Sequence, residues 1–179
     1  MSYPGKQTAY TLFELLMTLA LAAIILSVGI PSFGSLVADN RLRAQANSLF
    51  HAVHLARKES ITRRRVVSLC PSNDGENCNP TFDWSAGWIM FVNDARRDEL
   101  TRSPTEPLLR YQKGDAQTVV LANRRGFSLR STELRATNGT IVFCDPENRT
   151  AARALVISYT GRPRVTRKDS RGRPYSCAH

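Results

Sequence analysis

The sequence predicts an α+β fold: a long N-terminal helix, apolar in its first half and amphipathic in its second, packed on a C-terminal antiparallel β-sheet domain. Three observations predict it. An apolar run spans Leu12 to Ile30, broken by one charge, Glu14. Apolar residues then recur at helical spacing as Leu42, Ala46, Leu49, Val53 and Ala56. Beyond Arg65 the period changes to short β-branched or aromatic runs separated by turn residues.

The first run reaches about 28 Å as a helix, close to the thickness of a hydrocarbon core. A carboxylate costs roughly 2.5–3.5 kcal/mol at mid-membrane, so Glu14 calls for a partner. A secretory signal cut after Ala22 fits poorly, because Lys6 is the only charge of the leader and the apolar core continues past that site. Gly29, Pro31 and Gly34 are placed to bend or loosen the helix between its halves. On the second half, Phe50 flanks the apolar stripe, and Arg41, Arg43, Gln45, Asn47, Arg57 and Lys58 form the polar side. Arg63-Arg64-Arg65 closes the helix, where cations complement its dipole.

Strands are expected at 66–70, 87–92, 108–111, 118–121, 140–144 and 154–158, with turns at Asn93-Asp94, Ser103-Pro104, Lys113-Gly114-Asp115 and Asn138-Gly139. The stretch from Arg167 to Cys177 reads as a basic loop.

The 179 residues carry a net charge of +10, which favours an anionic partner. The charge is uneven. Residues 41–65 hold seven Lys/Arg against Glu59, and residues 149–173 hold eight against Asp169, whereas residues 66–123 sum to −3. Two basic zones flank a mildly acidic middle.

Cys70, Cys78, Cys144 and Cys177 all follow the apolar run, and an even count in a translocated domain indicates disulfides. Three pairings are possible. Cys70–Cys78 closes a short loop of turn formers, and Cys144–Cys177 then ties the basic tail to a strand; loop entropy assigns them about 2.6 and 3.8 kcal/mol. Zinc is the rival, but no C-x-x-C is present.

The N-terminal pattern, a short leader, then Ala9-Tyr10-Thr11-Leu12-Phe13-Glu14-Leu15 and a long apolar helix, resembles a type IV prepilin. Two later stretches are similar to the FimT/GspH family of minor pilins and pseudopilins. These are Trp84-Ser-Ala-Gly-Trp-Ile-Met-Phe-Val-Asn93, and Ala152-Arg-Ala-Leu-Val-Ile-Ser158 followed by Gly161-Arg162-Pro163-Arg164 and a late cysteine.

The resemblance implies a leader, 1–9, cut by a prepilin peptidase between Ala9 and Tyr10, with Tyr10 then N-methylated. It implies a membrane or filament-core helix over 10–35, its amphipathic continuation over 36–65, and a β-rich periplasmic domain over 66–179. Glu14 is implied to pair with the N-terminal amine of a neighbouring pilin during assembly. The chain is thus expected in the inner membrane and then in a pilus, among other pilins. Lys6 before the span and Arg41 and Arg43 after it run against the positive-inside rule, so this orientation rests on the cysteines and the resemblance.

Gly161, Arg162 and Arg164 are similar to the DNA-binding stretch of FimT-like pilins that serve natural transformation. In an extended chain Arg162 and Arg164 share a face and can grip consecutive phosphates of double-stranded DNA, with Arg167, Lys168, Arg171 and Arg173 prolonging the basic surface. A basic tail that merely solvates the domain, or that meets the membrane, is the plain alternative. A type II secretion pseudopilin without DNA binding is the functional one.

Ser60, Ser85 and Ser158 lie in no nucleophile elbow, and no phosphate loop or zinc motif is present, so the chain reads as a non-enzyme without a cofactor. His51 and His54 lie three apart without nearby acids and read as surface or packing residues. Trp84 and Trp88 could stack bases, although Trp88 sits in an apolar run that belongs in a core.

Overall fold

The computed structural model describes residues 11–94, 100–130 and 136–177, and within the helix it leaves out the side chains at 28 and 30–32. Ala9 and Tyr10, the expected processing site, lie outside the described residues. Two compact units divide between Val37 and Ala38, and the helix α1 (Leu12–Arg63) contributes to both.

In the first unit the helix starts on a cap that the sequence encodes. The Thr11 hydroxyl accepts the Glu14 amide at 3.3 Å, the arrangement a Thr-x-x-Glu start favours. Thr18 and Ser27 donate their hydroxyls to the carbonyls of Leu15 and Ile24, both at 2.8 Å, so neither presents a bare polar group. Leucines, isoleucines and Phe13 are exposed around this segment, Leu12 at 77%. Among the described residues no helix is both long and apolar enough to cross a membrane. The span expected over Leu12–Ile30 includes two side chains, at 28 and 30, outside the described set.

In the second unit two four-stranded antiparallel sheets accompany the rest of α1. The first joins β1 (Val66–Pro71), β2 (Gly87–Asn93), β3 (Leu108–Lys113) and β5 (Phe127–Leu129) in the order β3-β2-β1-β5. The second joins β4 (Val119–Ala122), β6 (Gly139–Cys144), β7 (Arg153–Ile157) and β8 (Pro163–Thr166) in the order β4-β6-β7-β8. The expected helical stripe, Leu42, Ala46, Leu49, Val53 and Ala56, is buried with Val67, Leu69, Trp88, Met90 and Phe127 of one sheet and Ile141, Phe143, Leu155 and Ile157 of the other. Each large side chain so buried contributes roughly 1.5–3 kcal/mol, which makes the helix the common support of both sheets.

The helix ends where the arginine run predicted, with a conformation the run did not predict. Arg64 has φ 54°. The Arg64 amide donates to Ile61 and the Arg65 amide to Ser60, the two bonds of a Schellman end, here made without glycine.

Two strands, β5 and β8, go beyond the runs read from sequence. β5 is only three residues long, and β8 starts on a proline and carries Arg164, so neither presents an alternating apolar signal. Both find their place through neighbours, β5 beside Val67–Leu69 and β8 beside Ala154–Ile157. The outer face of the first sheet buries Cys70, Ile89 and Phe91, with Cys78 against them. Disulfides join Cys70 to Cys78 and Cys144 to Cys177.

A candidate nucleic-acid interface on the edge strand

Strand β8 lies at the edge of its sheet. At the opposite edge, β4 is bonded by the segment before β2: Trp84 donates its amide to Val120, and Ala122 donates to Phe82, both at 2.8 Å. A strand edge with charged side chains resists unwanted pairing, and β8 carries Arg164 there.

The hairpin joining β7 to β8 turns on Ser158-Tyr159-Thr160-Gly161-Arg162. Ser158 and Arg162 bond through the Ser158 amide at 3.1 Å, and the Gly161 amide donates to the Ser158 carbonyl at 2.9 Å. Gly161 has φ +70°, and a Cβ there would lie 2.9 Å from Leu129 Cδ1 and 3.3 Å from Ala136 Cβ. Arg57 of the helix donates a guanidinium N–H to the Thr160 carbonyl. The turn is therefore held against the helix and the other sheet.

The register then separates the side chains. Pro163 stands opposite Ile157 and Val165 opposite Leu155, on the core side, whereas Arg164 stands opposite Val156. Pro163 is the first residue of an edge strand, a position where its missing N–H costs no ladder bond. Arg162 and Arg164 therefore fall on the outer side two residues apart, both exposed. Among the described residues, neither guanidinium has an ion-pair or hydrogen-bond partner, the Arg162 backbone amide donating to Ser158 Oγ.

The rest of the predicted basic set divides. Arg167 donates to Asp39 Oδ1 at 3.0 Å, and Arg173 pairs with Asp169 at 2.9 Å, so both cations are engaged within the chain. The Asp169 carboxyl is held below its ordinary value by the Arg173 amide, against a smaller effect of desolvation, and by the Arg173 side chain. Lys168 and Arg171 are exposed. The tail is organised, with Lys168 bridging to Pro174, the Tyr175 amide on the Arg167 carbonyl, and Cys177 on β6 through Cys144.

Other candidates resolve plainly. Trp84 is buried, donates its indole N–H to the Arg124 carbonyl at 3.3 Å and leans on Phe127, while Trp88 is buried beneath Arg110. Neither offers a face for a base. His51 and His54 are exposed with Phe50 edge-on to both rings, and no cluster of metal ligands is present among the described residues. Sequence reasoning passed over Arg124 and Arg125. The topology brings them to the end of the second sheet that also carries the β7–β8 turn: Arg124 donates to the Asn138 carbonyl at 3.2 Å, and Ala136 donates to Tyr159 at 3.0 Å. The segment between β4 and β5 that carries them offers no hint of that, because the contact comes from β6 lying between β4 and β7.

A capped apolar helix that continues into the support of an antiparallel β domain defines a type IV pilin-like subunit. The profile of one such family, described as Type II transport protein GspH, matches residues 45–161. The chain belongs to this GspH family of type IV minor pilins and pseudopilins. Its fold is similar to that of the type IV minor pilin FimU of Pseudomonas aeruginosa strain PAO1, solved in two crystal forms. One superposes with a TM-score of 0.54 at 21% identity over 76% of this chain and 99% of that one. The other gives 0.56 at 22% identity over 78% and 97%. No curated protein sequence matches the chain.

Proposed function

We propose that this family member is a minor pilin that binds DNA non-specifically and presents it at a pilus for uptake. The observation that carries the reading is the pair Arg162 and Arg164, two apart on the outer side of an edge strand, exposed and, among the described residues, without an acid partner. Side chains of alternate strand residues lie about 6.6 Å apart, a spacing suited to neighbouring phosphates. Lys168 and Arg171 add charge beyond them. In this reading a prepilin peptidase cuts between Ala9 and Tyr10, the Leu12–Ile30 helix holds the protein in the inner membrane, and Glu14 meets a neighbour's amine as the filament grows.

A second reading, a secretion pseudopilin with no DNA contact, draws on the description of the matching family as a type II transport protein. One titration separates the two. The full chain in mild detergent is titrated with double-stranded DNA across a salt series, comparing Arg162→Gln/Arg164→Gln with the charge-matched Lys58→Gln/Lys113→Gln. DNA capture predicts that only the first pair weakens binding and that its salt slope falls by about two. Equal weakening by both pairs assigns the affinity to bulk charge and favours the pseudopilin.

A further inference from the structure

Beside the β4–β5 turn lies a cleft of about 420 Å³, lined by Phe82, Leu100, Arg124, Arg125, Thr137 and Ser128, the last with its hydroxyl bonded to Ser68. That volume is in the range of small-molecule sites. Phe82 is 50% exposed although it is a large aromatic, and the Arg125 guanidinium carbon lies over its ring, 5.2 Å from the centroid. Arg124 is steered into the wall by its bond to Asn138, which occupies Nε. Asp83, next to Phe82 along the chain, accepts the Ser85 amide at 2.9 Å.

These groups match the parts of one nucleotide. An aromatic ring and a guanidinium plane stack an unpaired base, the Thr137 hydroxyl meets its edge, and cations hold its phosphate. The position adds a second argument. The cleft's Thr137 lies between Ala136, whose amide bonds Tyr159 of the β7–β8 turn, and Asn138, which Arg124 bonds. The cleft and Arg162 thus share one end of the second sheet.

We propose that this cleft receives an unpaired nucleotide of a DNA strand whose backbone is held by Arg162 and Arg164, so that the protein prefers DNA with single-stranded ends. This rests on the DNA-binding reading above. The duplex portion lies on the arginine pair, and its frayed or overhanging end stacks against Phe82 and Arg125. A partner protein's acidic segment would use the cations but has no use for the stack.

The test measures binding of the full chain in detergent to a blunt duplex and to the same duplex with a short single-stranded overhang. The wild type is expected to favour the overhang by about tenfold, the effect of one stacked base. Phe82→Leu removes that preference while leaving blunt-duplex affinity in place, and Phe82→Tyr keeps it. Equal wild-type affinity for the two DNAs, or a preference that survives Phe82→Leu, overturns the proposal. An acidic peptide that releases the overhang equally well from wild type and Phe82→Leu also overturns it, since it assigns the cleft to protein. Failure of the underlying reading is distinct: Arg162→Gln/Arg164→Gln would then bind the blunt duplex as tightly as wild type.

Discussion

Arg153 of β7 donates an N–H to Asp39 Oδ1 at 2.8 Å, joining strand to helix across 114 residues of sequence. The side chains are only 12% and 15% exposed, and Arg43 and Arg167 reach the same carboxylate. One aspartate thus ties the helix, the second sheet and the start of the basic tail. Asp39→Asn should lower stability by about 2 kcal/mol, between the value of surface pairs and that of fully buried ones, because it leaves Arg153 half-satisfied away from water. A double-mutant cycle with Arg153→Met, read by denaturant midpoints, measures the coupling; additive losses would show that the pair contributes nothing of its own.

Acid should destabilise the domain through Asp39, Asp74 and Asp145. Burial raises the Asp39 carboxyl, but Arg153 and Arg43 more than reverse it. At Asp145 the Arg149 side chain lowers it, against burial, helped by the Arg149 amide. At Asp74 the Asn77 amide and side chain lead, with the Glu76 amide, and the carboxyl sits well below the usual range. All three bind protons more readily unfolded than folded. Their contribution is therefore complete above the ordinary value of 3.8 and is lost as pH falls through the lowered folded values. Unfolding midpoints should be level from about pH 7 to 5 and drop steeply below about 4, with a shallower drop in Asp145→Asn.

Gly161→Ala and Gly172→Ala should differ. Both glycines have positive φ, +70° and +78°, but a Cβ at Gly161 meets Leu129 and Ala136, whereas at Gly172 it meets nothing. Gly172→Ala then carries only the backbone cost, about 1 kcal/mol, and Gly161→Ala about 2–3 kcal/mol. Paired denaturation curves check the ranking. DNA affinity should fall with Gly161→Ala alone, because that turn sets the register of Arg162 and Arg164.

Cys177→Ala should free the basic tail without dissolving the sheet. The bond to Cys144 spans 33 residues, worth about 3.8 kcal/mol by loop entropy. Hydrogen exchange should rise across 167–177, where the Tyr175 and Asp169 amides are bonded only within the tail, while β6 and β7 stay protected by their own ladder. Loss of protection in β7 would mean that the tail supports the fold itself.

Glu14→Ala should leave leader cleavage intact and block entry into filaments. Immunoblots of membrane and sheared-pilus fractions read both steps, and normal incorporation of the variant would remove the proposed pairing of Glu14 with a neighbour's amine.

The helix was legible along its whole described length because its signals are local. Leu12 to Ile30 run apolar, Leu42 to Ala56 repeat at its period, and the arginine run marks its end. The longer strands were legible for the same reason, as runs such as Gly87–Asn93 are apolar and bounded by turn formers. The sequence by itself thus determined the α+β class, the even cysteine set and the placing of Arg162 and Arg164 at alternate positions.

Only the tertiary structure decided which cations stay free. Arg167 and Arg173 look like Arg162 and Arg164 in sequence, yet the first two meet Asp39 and Asp169 and the others meet no acid among the described residues. It also made β5 and β8 into strands, through ladders with β1 and β7, and brought Arg124, Arg125 and Phe82 to the end of the sheet that carries the arginine turn. The physical reason is range. Periodicity and capping act within a few residues, whereas ion pairing and strand edges are set by partners tens of residues away, whose approach depends on the closed core.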